Sequence, residues 1–221
     1  MFAGHLAVAL VAKRAEPRVS LGGYVAAAYG LDLVWPVLVL AGIERVSIQP
    51  GITAFNALAF DSYPWSHSLL MAAVWSALAG ILAARVTRSH RAGWAVGIVV
   101  SSHWFLDLIV HRPDLPLWPA GPLAGFGLWN SVSGTMAVEG ILFAAGIVLY
   151  TGATWPRDGI GRWALVTLLL FVGGLWAVQP FSPPPPSAQA VALTALSLVL
   201  LPLWAQWADR HRRDAVPAHT R

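Results

Sequence analysis

His103, Asp107 and His111 recur at four-residue intervals inside the apolar run Ser102-His103-Trp104-Phe105-Leu106-Asp107-Leu108-Ile109-Val110-His111. At about 100° and about 1.5 Å per residue, a helix through this run puts the three side chains on one stripe, each about 6 Å from the next. An ionisable group at membrane depth costs roughly 2.5–3.5 kcal/mol on insertion scales, so it normally faces a partner or a cavity. Three on one face call for a common partner. A divalent cation is the simplest, because neutral imidazole and carboxylate are both good zinc ligands. The alternative is a polar stripe satisfied against neighbouring helices.

Further residues of the same chemistry lie in or beside apolar segments: His5, Asp32, His67 and Glu139. No lysine or arginine lies deep in an apolar segment to neutralise Asp32, Asp107 or Glu139. That leaves a metal, shared protons or histidine partners. Cysteine is absent, which excludes disulfides, thiolate zinc sites and a cysteine nucleophile. Any metal must therefore be held by His, Asp, Glu or water. His90, His211 and His219 stand in basic loops or the carboxy-terminal tail and read as solvated bystanders. Singly, each candidate has a plain structural role: Asp32 could cap a break before Trp35-Pro36, His67 could cap a helix beside Ser66, and Glu139 could bond hydroxyls across helices.

The elements that must bring these residues together are membrane helices. Of 221 residues, 57% are hydrophobic and 11% charged, against roughly 25% charged in soluble domains. Six stretches, at 21–43, 65–86, 92–111, 133–151, 162–179 and 187–207, have the ~17–25 residues needed to cross about 30 Å of hydrocarbon. The run from Met1 to Ala12 is too short to span. Its basic residues Lys13, Arg14 and Arg18 follow the apolar run, unlike those of a signal peptide. It reads as a half-helix dipping into the bundle. The expected fold is thus all-α, a polytopic bundle of about six transmembrane helices plus a short amino-terminal half-helix. It forms one integral membrane domain over 1–221, with a site-bearing core in 1–140, additional helices in 141–208 and a basic tail in 209–221.

Basic residues alternate from loop to loop. Lys13, Arg14 and Arg18, then Arg85, Arg88 and Arg91, then Arg157 and Arg162, and finally Arg210, Arg212, Arg213 and Arg221 mark one side. Loops 44–64 and 112–132 are charge-poor, so the positive-inside rule predicts two cytoplasmic termini and external loops there. On that topology His5, Asp32, His67, His103, Asp107 and Glu139 can share the outward half of one bundle. The net charge of +4 serves topology, and nucleic acid is not an expected partner.

The order His5, Asp32, Trp65-Ser66-His67-Ser68-Leu69, then Ser102-His103-Trp104-Phe105-Leu106-Asp107 resembles the YdjM-like family of bacterial inner-membrane, metal-dependent hydrolases. Such proteins open with a Met-x-x-x-His start, then an Asp in the next span, a His-Ser-Leu-Leu motif and Ser-His-x-x-x-Asp. The resemblance covers roughly residues 1–140. A more distant similarity in ligand order runs to the zinc-dependent phospholipase C and single-strand nuclease fold. There His5, Asp32, His67, His103 and Asp107 match the first five ligands in order. Thr135 stands where the later His-x-x-x-Glu pair, ending here at Glu139, would have its histidine. That departure implies one or two metals, not three.

The expectation is a hydrolase of the bacterial inner membrane, with zinc or a similar divalent metal. Its ligands would be drawn from His5, Asp32, His67, His103, Asp107 and His111, and Asp32, Asp107 and Glu139 would be the catalytic carboxylates. Membrane lipids surround it, and the distant similarity implies a phosphoester or lipid-like substrate. Ser66, Ser68 and Ser102 are placed to hold the free imidazole nitrogens. A proton- or metal-coupled transporter is the alternative from another class, and would need polar residues continuing to the cytoplasmic side. A scaffold with a structural metal is the third, and would need a closed four-ligand shell.

Overall fold

The apolar run at the amino terminus forms helix α1 (Phe2–Ala15), and its 14 residues rise only about 21 Å. In this computed structural model, which describes residues 1–214, α1 is buried among longer helices and makes its main contacts with α2 (Leu21–Ala28) and α7 (Val132–Ala153). Helix α2 and α3 (Gly30–Leu40) are one apolar segment bent by 50° at Tyr29. The bend puts Asp32 in the first turn of α3, where the helix dipole favours a carboxylate.

A charge-poor segment follows. It holds an antiparallel hairpin, β1 (Arg45–Ile48) with β2 (Leu58–Ser62), and the short helix α4 (Pro64–His67). Helices α5 (Leu69–Thr87) and α6 (His90–Val110) then pack antiparallel through small residues. The two approach so closely that a Cβ on Gly93 would lie 2.7 Å from the Gly80 carbonyl oxygen. Beyond α6 come the two-residue strands β3 (Leu115–Pro116) and β4 (Leu123–Ala124), then α7. Helix α8 (Gly159–Val178), the proline-rich turn and the pair α9 (Ala188–Leu196) and α10 (Leu200–Arg210) complete the bundle. A 3-10 turn over Ser197–Val199 joins α9 to α10.

Among the described residues, five helices or near-continuous helical segments are long and apolar enough to cross a membrane, and the bent α2–α3 pair makes up to six. The all-α bundle expected from the sequence is therefore what forms, with the half-helix in place. Ile98, Ile141 and Leu170 are 63%, 69% and 69% exposed, so the outer face is apolar as a bilayer requires. The inner core is led by Leu6, Leu10, Leu21, Tyr24 and Tyr29, all fully buried.

The tail departs from expectation. Strand β5 (Thr154–Pro156) pairs with β6 (Arg212–Asp214), and Arg212 is buried, donating to the Thr154 and Gly161 carbonyls and the Thr154 hydroxyl. Arg212 thereby satisfies the Thr154 carbonyl at the end of α7 and ties it to the first turn of α8. His211 stays outside the candidate cluster, its Nδ1 lying 2.7 Å from the Asp158 carboxylate in an exposed contact. His219 and Arg221 lie outside the described residues.

Candidate metal centre

Four segments far apart in sequence converge beneath the β1–β2 hairpin. Helix α6 contributes His103 and Asp107, one turn apart, with His103 Nε2 3.1 Å from Asp107 Oδ2. Helix α4 ends on His67, whose Nε2 lies 3.5 Å from Asp32 Oδ1 and 3.9 Å from Asp107 Oδ2. Asp32 Oδ1 is in turn 3.7 Å from His103 Nε2. A tetrahedral cation with bonds of about 2.0–2.1 Å holds its ligand atoms about 3.4 Å apart. Asp32 Oδ1 lies 3.5 and 3.7 Å from the two histidine nitrogens, near that value, so Asp32, His67 and His103 can hold one small divalent ion with a fourth position open.

His5, from α1, adds a second grouping. Its ring stacks on that of His103 at 3.8 Å and 9°, with Nε2 3.2 Å from Asp107 Oδ1. His5, His103 and Asp107 form one three-ligand set and Asp32, His67 and His103 another, each with ligand atoms within 4.8 Å of one another. The α-amino group of Met1 also pairs with Asp107. The His67 and His103 rings are 5.2 Å apart, as a shared centre requires.

Ring orientation supports the ligand reading. His103 Nδ1 is 2.8 Å from the Ala28 carbonyl oxygen, at the α2–α3 bend. A carbonyl only accepts, so Nδ1 carries a proton and Nε2 is the atom turned toward two carboxylates. That Nε2 is buried without a hydrogen-bond partner among the described residues. A nitrogen held against two carboxylates calls for a proton or a metal cation between them.

His67 is oriented through a relay that sequence reasoning missed. Buried Glu44 accepts from the Trp65 and Ser66 amides at 2.8 and 2.9 Å and from the Ser66 hydroxyl at 2.6 Å. The Ser66 oxygen then accepts from His67 Nδ1 at 2.7 Å, which leaves Nε2 free to ligate. Of the three serines expected to hold imidazoles, only Ser66 does. Ser68 caps α5 by accepting from the Met71 amide, and Ser102 bonds the Val99 carbonyl. Glu44→Gln keeps the size but turns one acceptor into a donor. Ser66 must then donate to His67 Nδ1, which puts the proton on Nε2. Metal affinity should fall about ten- to a hundredfold, read by chelator competition. Unchanged affinity would show that the relay does not set the tautomer.

Two candidates are corrected by the geometry. His111 is not on the ligand stripe, because α6 ends at Val110 and His111 is already extended (φ −63°, ψ 142°). Pro113 disfavours helix at the preceding residue, and the chain turns there. His111 Nδ1 instead sits 3.1 Å from the Tyr63 hydroxyl and 3.0 Å from the Asp114 carboxylate, with its ring 4.3 Å from Trp129. Burial, then the Asp114 charge, raise the Tyr63 phenol well above its ordinary pKa, so it remains a donor. Glu139 belongs to the neighbourhood but serves α1: its Oε2 accepts from the Ala3 and Gly4 amides at 2.9 and 3.3 Å. It satisfies two of the free amides of a buried helix start and so positions His5. Thr135 donates to the Leu128 carbonyl and ligates nothing.

A bundle of membrane helices around a buried His/Asp cluster defines an integral membrane protein with a candidate metal centre. Residues 64–182, just over half of the chain, match the YdjM inner membrane protein family, and the chain belongs to it. The match spans α4 to α8, with His67, His103, Asp107 and Glu139, while His5, Asp32 and α9–α10 lie outside it. Neither a curated protein nor a solved structure matches the chain.

Proposed function

We propose that this protein is a membrane-embedded, metal-dependent hydrolase acting on a phosphoester or lipid-like substrate. The reading rests on one observation above all: Asp32, His67 and His103 form a three-ligand set whose ligand atoms lie within 4.8 Å of one another, with room for a fourth position, and the His5, His103 and Asp107 set adjoins it through His103. The nitrogen and oxygen donor set suits zinc. A bound zinc-class ion would supply Lewis acidity and a water acidified toward neutrality.

The chain's own groups divide the remaining work. Asp32 is 26% exposed while His5, His67, His103 and Asp107 are 5% exposed or less, so the centre opens at Asp32. Its carboxylate is placed to orient an attacking water and take its proton. Asp107, between His5 and His103, sets the position of both rings. Trp35 and Phe60 stand beside this opening and limit water entry.

Transport is disfavoured, because fully buried Leu6, Leu10 and Tyr24 occupy the interior in place of a polar path. A purely structural metal is disfavoured by the open side at Asp32. The test combines elemental analysis of purified protein with incubation in liposomes of bacterial lipid extract, products being read by mass spectrometry. Metal-dependent product formation that Asp32→Asn abolishes is expected. Metal-loaded protein that leaves every lipid and phosphoester intact would overturn the hydrolase.

The same reading puts both termini on the cytoplasmic face and the centre in the outward half. Exposed Gln49, in the loop holding the β1–β2 hairpin, and exposed His90, at the α5–α6 turn, test this in a cysteine-free chain. A membrane-impermeant maleimide should label Gln49→Cys in intact cells and His90→Cys only after lysis. The reverse pattern would invert the topology.

A further inference from the structure

We propose that a cavity beside the cluster receives the single apolar chain of an amphiphile whose polar head meets Asp32 and His67. This rests on the reading of the cluster as a metal centre, and it names the substrate class. The cavity measures about 440 Å³, within the ~300–1,000 Å³ range of ligand pockets. At one end lie Asp32, His67 and Asp107. The remainder is mostly apolar, although Asn56, His111, Glu139, Gln179, Thr194 and Ser197 also line it: Trp35 and Phe60, with rings 5.6 Å apart, and Leu58 form one wall.

The opposite wall is α9, which packs on α3. Val191 and Ala195, one turn apart on α9, and Leu198 of the following 3-10 turn line the cavity, while Leu193 on the other face of α9 is 54% exposed. Leu175 of α8, 45% exposed, and exposed Thr194 also line it. The cavity therefore reaches the lipid-facing surface between α8 and α9. A polar end at a buried charged centre, apolar walls and a lateral mouth fit a molecule that arrives from the bilayer with one tail. They do not fit a water-soluble phosphoester. The near-continuous span of α9 and α10, which lies beyond the family match, thereby acquires a role, its α9 half serving as the tail-binding wall.

The test uses the full-length protein in nanodiscs and dodecyl phosphate carrying a terminal diazirine. Metal content is measured on the same samples. Expected are photoadducts on cavity residues of α3 and α9, competed by plain dodecyl phosphate. Ala195→Trp, which fills the cavity, should cut them about tenfold, the effect of displacing roughly two methylenes at about 0.8 kcal/mol each. Leu193→Trp, on the lipid-facing side, should leave them unchanged. Metal-replete protein whose adducts scatter over the outer surface, indifferent to both substitutions and to the competitor, would overturn the chain site and spare the metal centre. Protein without metal would overturn the hydrolase, while competed labelling of the cavity in it would still support the chain site.

Discussion

His103→Ala and Asp107→Ala are each expected to remove bound metal from the purified protein, and the double substitution to abolish it. His103 belongs to both three-ligand groupings, and Asp107 faces His5 through one oxygen and His67 and His103 through the other. Removing His103 leaves Asp32 and Asp107 without the imidazole that faces both, and removing Asp107 leaves His5 and His103 without their shared carboxylate. Breaking a buried charge cluster by deleting one partner typically costs about 3–5 kcal/mol. Part of that cost falls on the fold and part on the metal, so affinity should drop by two or more orders of magnitude. His90→Ala provides the comparison, since His90 is exposed at the start of α6 and far along the helix from the cluster. It should keep full metal content. Stoichiometric metal surviving in the double variant, measured by elemental analysis after chelator wash, would eliminate the α6 ligand pair.

The parts of this centre visible in the sequence are those that membrane physics penalises. Asp32, Asp107, His5, His67 and His103 stand out because an ionisable group in an apolar segment needs a reason, and all five meet. The spans were legible for a related reason, since hydrocarbon thickness fixes their length and few alternatives satisfy backbone groups there. What remained hidden depends on tertiary placement. Glu44 sits in an irregular segment and acts on Ser66, 22 residues away, so no local pattern marks it. The bend at Tyr29 has only Gly30 as a cue, yet it brings the Ala28 carbonyl to His103. At His111 the four-residue spacing runs past the end of α6, for which Pro113 is the sequence cue. The part of Glu139 in seating α1 is not legible, because its partners, the amides of Ala3 and Gly4, carry no side-chain signature.

That hidden dependence on α1 leads to a result expected far from any ligand. At Gly146 on α7 an added Cβ would lie 2.8 Å from Ala7 Cα and 2.9 Å from the Ala7 carbonyl oxygen. Real Cβ atoms do not come so close to backbone, so Gly146→Ala must push α1 away from α7. Helix α1 is too short to span and is held by this contact, by Glu139 at its start and by the Lys13–Asp209 pair near its end. Displacing it by a fraction of an ångström unseats His5 from its stack on His103 and from Asp107. Overpacking of this kind costs about 1–3 kcal/mol, so the thermal midpoint should fall. Metal affinity should fall with it, by about tenfold, though no ligand has changed. Gly152→Ala, on the same helix with nothing within 4 Å, should leave both unaffected or slightly raise stability. Ala7→Gly combined with Gly146→Ala should not rescue, because the clash is with backbone atoms that glycine retains. Wild-type metal affinity in Gly146→Ala would mean that α1 and its His5 are dispensable, leaving Asp32, His67, His103 and Asp107 as the whole centre.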